Sequence, residues 1–249
     1  MIPQRWRWSF ADRRRCDVKG APAIQTTDPS TLPDAATLGA IFPSFRPTIA
    51  EPDTSGWREL CAAPVREALI SLDVQGFLRP QEALKLYEIS YYTSGDALEL
   101  GSAWGLSTMI IACAKRDAQR PGRVVSVEIL PEHHQATDQA LRRHGLRDRA
   151  TLLLGDADMV LPWLIKRRRR FGFAFVDHDH GLPATRIAVE ALSQLLMPGG
   201  LALFHDFNDA RHATGEYGIY PAVASGIAAG TFRMVDLCGS AALIERHHG

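Results

Sequence analysis

ALELGSAWGLST, residues 97–108, is the stretch from which the fold can be read. An apolar run ends at Gly101, and Gly105 opens a segment, LSTMIIACAKR, whose apolar residues recur with helical period. A strand that becomes a helix through glycines lets backbone approach a ligand closely, and the helix start presents N–H groups with no partner in the helix. The loop has neither the third glycine of a dinucleotide fingerprint nor a following Lys-Ser/Thr. Pyrophosphate and nucleoside triphosphate therefore lose ground as ligands.

Outward from this turn the same alternation repeats. Short apolar runs stand at 96–101, 123–129, 150–156, 171–177 and 200–206, with helical patterns at 105–117, 132–145, 157–169 and 184–197 between them. Strands of this length alternating with helices predict a parallel sheet covered on both faces. Ligands of such sheets bind beyond the carboxyl ends of the strands. Gly101, Glu128, Asp156, Asp177 and Asp206 would then face one crevice. The chain closes on a helical YPAVASGIAAG and two apolar runs, TFRMVDL and AALIERH, separated only by Cys238, Gly239 and Ser240. A separation that short permits an antiparallel hairpin and excludes a parallel return.

Upstream the pattern is different. Residues 1–56 read as an irregular arm: Pro22, Pro29, Pro33, Pro43, Pro47 and Pro52 interrupt any period, while Ile41, Phe42 and Phe45 are its candidate anchors. Residues 57–95 read as a helical cap. WRELCAAPVREALISLD is taken as a helix broken or started near Pro64, and PQEALKLYEISYYT as a second, with proline at its start. Residues 96–249 form the remaining domain, which holds the alternating strands and helices. The arm would dock either on its own domain or on a second copy of the chain, which leaves a homo-oligomer open.

Composition narrows the function classes. Among 249 residues, 28 Lys and Arg balance 28 Asp and Glu, so no global field draws in nucleic acid or an anionic membrane. A nucleic-acid partner is not expected on this ground, although Trp6, Trp8 and Phe10 are interleaved with basic residues and Lys166–Arg170 is wholly basic. The latter run precedes a strand, at the edge opposite the crevice, and reads as a solvated helix end favoured by the macrodipole. No apolar run is long enough to span a bilayer. Cys16, Cys61, Cys113 and Cys238 have no metal-ligand spacing, which suits reduced thiols in a cytoplasmic protein.

The polar groups at the strand ends carry the chemistry. Glu128 ends the strand after the glycine loop, the spacing of a carboxylate that accepts from ribose hydroxyls; its bland reading, like that of Asp156, is a solvated strand end or a helix cap. Glu99 would be a buried charge in need of a partner. VDHDH at 176–180 and FHDFND at 204–209 bring Asp177, His178, Asp179, His180, His205, Asp206, Asn208 and Asp209 to the same opening. Oxygen ligands from Asp and Asn suit Mg2+ or Ca2+ better than zinc. Tyr87, Tyr91, Tyr92 and Trp104 could wall the site or pack in the core, and Arg211, His212, Glu216 and Tyr217 lie on a loop able to gate an acceptor.

ELGSAWGLST, LLLGDA, FAFVDHDHG and LMPGGLALFHDF, in that order, resemble the motifs of class I S-adenosylmethionine-dependent methyltransferases, and residues 80–249 resemble their fold as a whole. The style of the motifs is similar to small-molecule O-methyltransferases related to the sugar methyltransferases of macrolide pathways. The resemblance implies an α/β, Rossmann-like three-layer sandwich whose seven-stranded, mostly parallel sheet has a C-terminal antiparallel strand. It implies S-adenosylmethionine as cofactor, with Glu99, Gly101, Ser102 and Gly105 around its methionine part and Ser107 near the carboxylate end. Glu128 would take the ribose, Asp156 and Ala157 the adenine, and His178 a further contact. Metal-dependent members hold Mg2+ with an Asp at the fourth strand end and an Asp-Asn pair at the fifth. Asp177 and Asp206 match the aspartates, Phe207 stands where the asparagine is expected, and Asn208 is displaced by one residue. Without an ion, His205 or His180 would serve as general base, because an imidazole near its ordinary pKa accepts a proton at neutral pH. The implied reaction is methyl transfer to a hydroxyl of a sugar, polyol or phenol. The alternative is a non-catalytic cofactor-binding or structural partner on the same fold.

Overall fold

The apolar runs on either side of the glycine turn become neighbouring strands. The structure, a computed structural model, describes residues 4–7, 69–72, 74, 76–78, 80–119 and 121–247. Along the chain the strands are β1 (Gln4–Arg7), β2 (Leu69–Leu72), β3 (Ala97–Leu100), β4 (Val124–Glu128), β5 (Ala150–Leu154), β6 (Phe171–Val176), β7 (Leu196–Phe204), β8 (Phe232–Cys238) and β9 (Ala241–Arg246). The helices are α1 (Pro80–Tyr92), α2 (Leu106–Asp117), α3 (Pro131–Arg143), α4 (Ala157–Lys166), α5 (Leu182–Leu195) and α6 (Ile219–Ala228).

Seven strands form one sheet in the order β5-β4-β3-β6-β7-β9-β8. The ladders from β5 to β7 are parallel, and β9 runs antiparallel to both β7 and β8. The terminal hairpin predicted from its short turn thus inserts its second strand into the sheet and leaves its first at the edge. The chain builds outward from β3 to β5, then crosses back to place β6 on the other side of β3. That reversal opens a crevice between β3 and β6 at their carboxyl ends, where Asp177 N donates to Leu100 O at 2.9 Å.

Strand alternation sends the apolar residues to two cores. Leu98, Leu100, Val125 and Val127 pack with α4, α5 and α6 on one face; Ala97, Val124, Phe173 and Phe175 pack with α1, α2 and α3 on the other. Three layers result, and both faces of β3, β4 and β6 are closed to water, while the edge strand β5 is only partly covered. Leu192 of α5 is fully buried in the first core, so its truncation to alanine carries the usual cost of about 2–5 kcal/mol for a filled site.

Two expectations change. Leu69–Leu72, read from its local pattern as helix, is a strand, and it pairs antiparallel with Gln4–Arg7 of the arm read as irregular, with Trp6 opposite Ile70. Pairing with a distant segment decides the state of so short a run, which local propensity cannot anticipate. The arm from 8 to 56 with Ile41, Phe42 and Phe45, the expected helix over 57–68, and Cys16 and Cys61 lie outside the described residues. No helix among the described residues is long and apolar enough to cross a membrane.

The tyrosines resolve toward packing. Tyr87 is buried on α1 and its hydroxyl donates to Asp117 at 2.9 Å, at the last residue of α2. Because α2 starts beside the crevice, its end lies at the opposite edge. Burial first, and then Asp117, push the Tyr87 hydroxyl well above its ordinary pKa. Tyr91 stacks on Tyr87 and meets Tyr92 edge-on. The basic run also sits where the sequence placed it: Arg167 covers Trp163 at 4.2 Å, and Arg169 pairs with Asp96 at 2.6 Å just before β3.

Candidate active site

The glycine loop is shaped by close approach. Gly101 has φ +86, and a Cβ there would lie 2.1 Å from the Asp177 carbonyl oxygen, so only glycine lets β3 end against β6 in this way. Gly105, at φ +96, caps α2, and its Cβ would come 3.0 Å from Thr137 of α3. Thr137 is itself a tie: its hydroxyl donates to Ser102 Oγ at 3.2 Å and to Ala103 O at 3.1 Å.

Glu128 closes the loop from the other side. Its Oε2 accepts from Ser102 N at 3.0 Å, Ala103 N at 2.9 Å and Ser102 Oγ at 3.3 Å, and its Oε1 accepts from Leu130 N at 3.0 Å. One buried carboxylate therefore fixes the turn after β3 and the start of the segment after β4. Asp156 caps α4 through an N–H···O bond from Asp158 at 2.9 Å, which realises the cap reading and leaves Oδ2 outside that bond.

These groups surround a cavity of about 300 Å³. Gly101, Glu128, Asp156, Ala157, Asp177 and His178 of the expected site line it, with Ile129 and His133. The Nε2 of His178 is buried without a hydrogen-bond partner, and burial above all lowers that imidazole's pKa, so the ring is kept neutral. Glu99, Ser102, Gly105 and Ser107 form the layer behind this wall. Glu99 is fully buried, accepts a hydrogen bond from Thr108 Oγ1, and keeps Oε1 without a partner. Burial pushes its carboxyl up to about 7 against the pull of the Ser107, Ser126 and Thr108 hydroxyls.

Asp177 belongs to a second group as well. One ligand atom each of Asp177, His180 and Asp206 lies within 4.8 Å of the others. His180 Nε2 is 3.4 Å from Asp177 Oδ1 and 3.4 Å from Asp206 Oδ2. Beneath them, His205 Nδ1 is 3.3 Å from Asp177 Oδ1 and 3.4 Å from Asp206 Oδ1. Both nitrogens are buried and neither has hydrogen-bond geometry to a partner. Asp206 has φ +51, a left-handed conformation uncommon outside glycine, which turns its carboxylate back toward β6.

The electrostatics of this group differ from the expectation of an ordinary imidazole. Burial opposes charge on every member, yet the mutual attractions outweigh it. Asp177 is held down to about 2 by His205 and His180, and Asp206 is held well below the carboxylate range by the same rings. His180 is pushed up to about 9 by Asp177 and Asp206, and His205 stands well above its ordinary value. In this arrangement the two aspartates favour the protonated form of both imidazoles, which works against the free base expected from the sequence.

Asn208 is fully buried; its Nδ2 donates to Gly239 O at 3.2 Å and its Oδ1 has no partner. The third group of the carboxylate cluster is His180, which the residue pattern had placed among bases rather than ligands. Tyr217 stacks on His180 with ring centroids 4.5 Å apart, and Arg211 lies over Tyr217 at 4.0 Å while its guanidinium makes two bonds to Asp209. His212 ties the loop to the strand end, with its ring nitrogens 3.1 Å from Tyr217 O and Asp206 O.

Sequence reasoning missed Glu82, Thr108, Thr137 and His133. Glu82 stands in the first turn of α1, where the helix dipole alone would account for an acid. Instead it is buried against His205. Thr137 lies in a polar helix whose sequence gives no sign of the loop it braces.

Residues 98–207 match a protein family described as a methyltransferase domain. The chain is 31% identical over 121 residues to the catechol O-methyltransferase of Mycobacterium tuberculosis, covering 45% of this chain and 54% of that one. It is 34% identical over 86 residues to the O-methyltransferase imqG of Aspergillus flavus, 32% of this chain and 33% of that one. The chain thus spans about half the length of the first relative and a third of the second. An O-methyltransferase from Bacillus cereus, solved in complex with SAH, superposes with a TM-score of 0.58 at 17% identity over 86% of this chain and 92% of its own, a likeness of fold. The strand order, mostly parallel with antiparallel C-terminal strands, matches the Rossmann-like topology of class I methyltransferases, and residues 98–207 are similar to a methyltransferase domain.

Proposed function

We propose that this protein transfers a methyl group from S-adenosylmethionine to a hydroxyl of a small molecule, with a divalent cation held beside the cofactor. The observation that carries this reading is the double position of Asp177: it lines the cavity under the glycine loop and is a corner of the Asp177–His180–Asp206 cluster. A cofactor seated in the cavity would have its reactive end next to a group of ligand atoms. One curated relative is named for catechol, and a phenol with adjacent hydroxyls joins sugars and polyols, including sugars of the macrolide type, as acceptor classes.

The residues fit both groups. Gly101 permits close approach of backbone, His178 offers an unpartnered Nε2 in the cavity wall, and Glu128 and Asp156 end the two strands on which ribose and adenine would lie. Glu99, Ser102, Gly105, Ser107 and Ala157 would support or touch the same ligand through the loop and the α4 start. The cation donors would be two carboxylate oxygens and the His180 nitrogen once a cation takes the place of its proton, with Asn208 Oδ1 a further unpartnered oxygen at the β7 end. An imidazole extends the fitting ions from Mg2+ to Mn2+ and its neighbours.

When bound, S-adenosylmethionine supplies an electrophilic methyl carbon, and a divalent cation lowers the pKa of an acceptor hydroxyl. The protein's share is alignment. Displacement at carbon needs the acceptor oxygen, methyl carbon and sulfur in line, and the fixed strand ends hold the two sites in register. Tyr217, held between the His180 ring and the Arg211 guanidinium, fixes the loop beside the cluster.

Calorimetric titration with S-adenosylmethionine, repeated with Mg2+ or Mn2+ and after chelation, tests this reading. Saturable cofactor binding is expected; its absence by heat and by a second binding method would overturn the assignment.

A further inference from the structure

Glu82 lies outside the matched methyltransferase segment, on the first turn of α1, yet it is the residue that meets the underside of the cation cluster. It is 1% exposed. Its Oε2 is 3.2 Å from His205 Nε2, and its Oε1 accepts from Ser240 N at 2.6 Å and Ser240 Oγ at 2.8 Å. Gly239 in the same β8–β9 turn packs so closely on it that a Cβ there would lie 2.4 Å from Glu82 Oε1. The carboxylate is therefore fixed on one oxygen by the turn and presents the other to the imidazole. His205 in turn faces Asp177 and Asp206 with its remaining nitrogen.

We propose that Glu82 is a positioning residue for the cation site: it holds the His205 ring in the one orientation in which Nδ1 meets both Asp177 and Asp206. The inference deepens the functional reading above and rests on its cation site. Its reasoning is geometric. A ring gripped at Nε2 cannot flip about its bond to Cβ without exchanging a nitrogen for a carbon at both contacts. Asp177 Oδ1 and Asp206 Oδ1 then stay turned to the ring, while Asp177 Oδ1 and Asp206 Oδ2 stay 3.4 Å from His180. Partners of this kind, which orient ligands without touching the ion, are worth about 10–100-fold in affinity when removed. Glu82 also ties the helical segment before the glycine loop to the site: α1 brings to the Nε2 side of His205 a carboxylate from outside residues 98–207.

The test uses the full chain and Mn2+ as probe, read by the paramagnetic resonance of the free ion. E82Q keeps the size of the side chain and an oxygen for Ser240 but loses the charge facing the ring; S240A removes one bond to Glu82 and leaves the imidazole contact intact. The expected result is Mn2+ affinity weakened about tenfold or more in E82Q, near wild-type affinity in S240A, and S-adenosylmethionine affinity and melting temperature close to wild type in both. A merely structural Glu82 would instead leave Mn2+ affinity unchanged in E82Q, or lower melting temperature, cofactor binding and Mn2+ binding together, and either result would overturn the proposal. The side-chain nitrogen resonances of His205 provide a readout independent of the ion. A protected N–H at Nε2 in the wild type that is lost in E82A supports the grip, and a His205 spectrum indifferent to E82A sinks it. Should wild-type protein bind no Mn2+, the cation reading fails and with it the role assigned to Glu82, even where the His205 spectrum shows the grip; failure of cofactor binding alone would strike only the methyl-transfer reading.

Discussion

The two ends of the crevice are built differently. At the β3–β4 end, the glycine loop, Glu128 and Thr137 form a closed set of hydrogen bonds drawn from adjacent segments, so the protein's own groups fix its shape. At the other end, Asp177, His180, His205 and Asp206 satisfy one another mainly by charge at 3.3–3.4 Å, and two of their nitrogens are left without hydrogen-bond geometry. The first is a preformed cradle and the second a set of mutually compensating charges. Backbone geometry should therefore dominate the effect of substitutions at one end, and charge at the other.

The largest effect is expected at the cradle. Gly101→Ala must place a methyl group on the Asp177 carbonyl at a positive φ, so β3 and β6 have to part. Loss of measurable S-adenosylmethionine binding by calorimetry, with destabilisation of about 3 kcal/mol or more in urea, is the expected outcome. Wild-type behaviour would mean that the loop is not the rigid element described. At the charged end, Asp206→Asn should leave cofactor affinity within about threefold while lowering Mn2+ affinity about 100-fold, because it removes a ligand charge without disturbing the cavity wall. Equal losses of both ligands would erase the distinction between the two ends.

Much of this contrast was legible in the residues, for a physical reason. Parallel strands buried on both faces read as unbroken apolar runs, and whatever polar residue ends them must face the crevice, so Gly101, Glu128, Asp156, Asp177 and Asp206 could be gathered without coordinates. What could not be read was anything that depends on two distant segments meeting. Glu82 meets His205 across 123 residues, and Leu69–Leu72 takes the strand state only opposite Gln4–Arg7. The raised pKa values of His180 and His205 are of the same kind. Neighbouring letters in the sequence show that acids and imidazoles share an opening, but only their separation says that attraction outweighs burial.

A smaller, pH-dependent effect separates the layer behind the cradle from both ends. Glu99 ionises near 7 in the folded chain and in the ordinary range of about 4.3 when unfolded. Its pKa is raised, so the folded state holds the proton more tightly and this group's contribution to stability falls as pH rises from about 4.5 through 7. Glu99→Gln removes that slope. Relative to wild type, the variant should gain up to about 3 kcal/mol between pH 5 and pH 8 in urea unfolding. An unchanged difference across that range would show that the carboxyl is not buried as described.

The smallest effect is expected far from either end. Arg170 follows α4 at the opposite edge of the sheet, exposed and bonded only to the Arg169 carbonyl among the hydrogen bonds of its side chain described here. Arg170→Ala should change stability by less than about 0.5 kcal/mol and leave cofactor affinity unchanged by calorimetry. A marked loss of binding would assign the basic run a part in the site that its position denies.

The central claim is that the cradle and the charged cluster share Asp177 and therefore hold their ligands side by side. S-adenosylmethionine labelled with 13C at the sulfonium methyl, bound to the protein and titrated with Mn2+ against a Mg2+ control, tests it most directly. Strong paramagnetic broadening of the methyl resonance with Mn2+ alone, abolished in Asp206→Asn, is the predicted result. A methyl signal that stays sharp while Mn2+ is bound would contradict it.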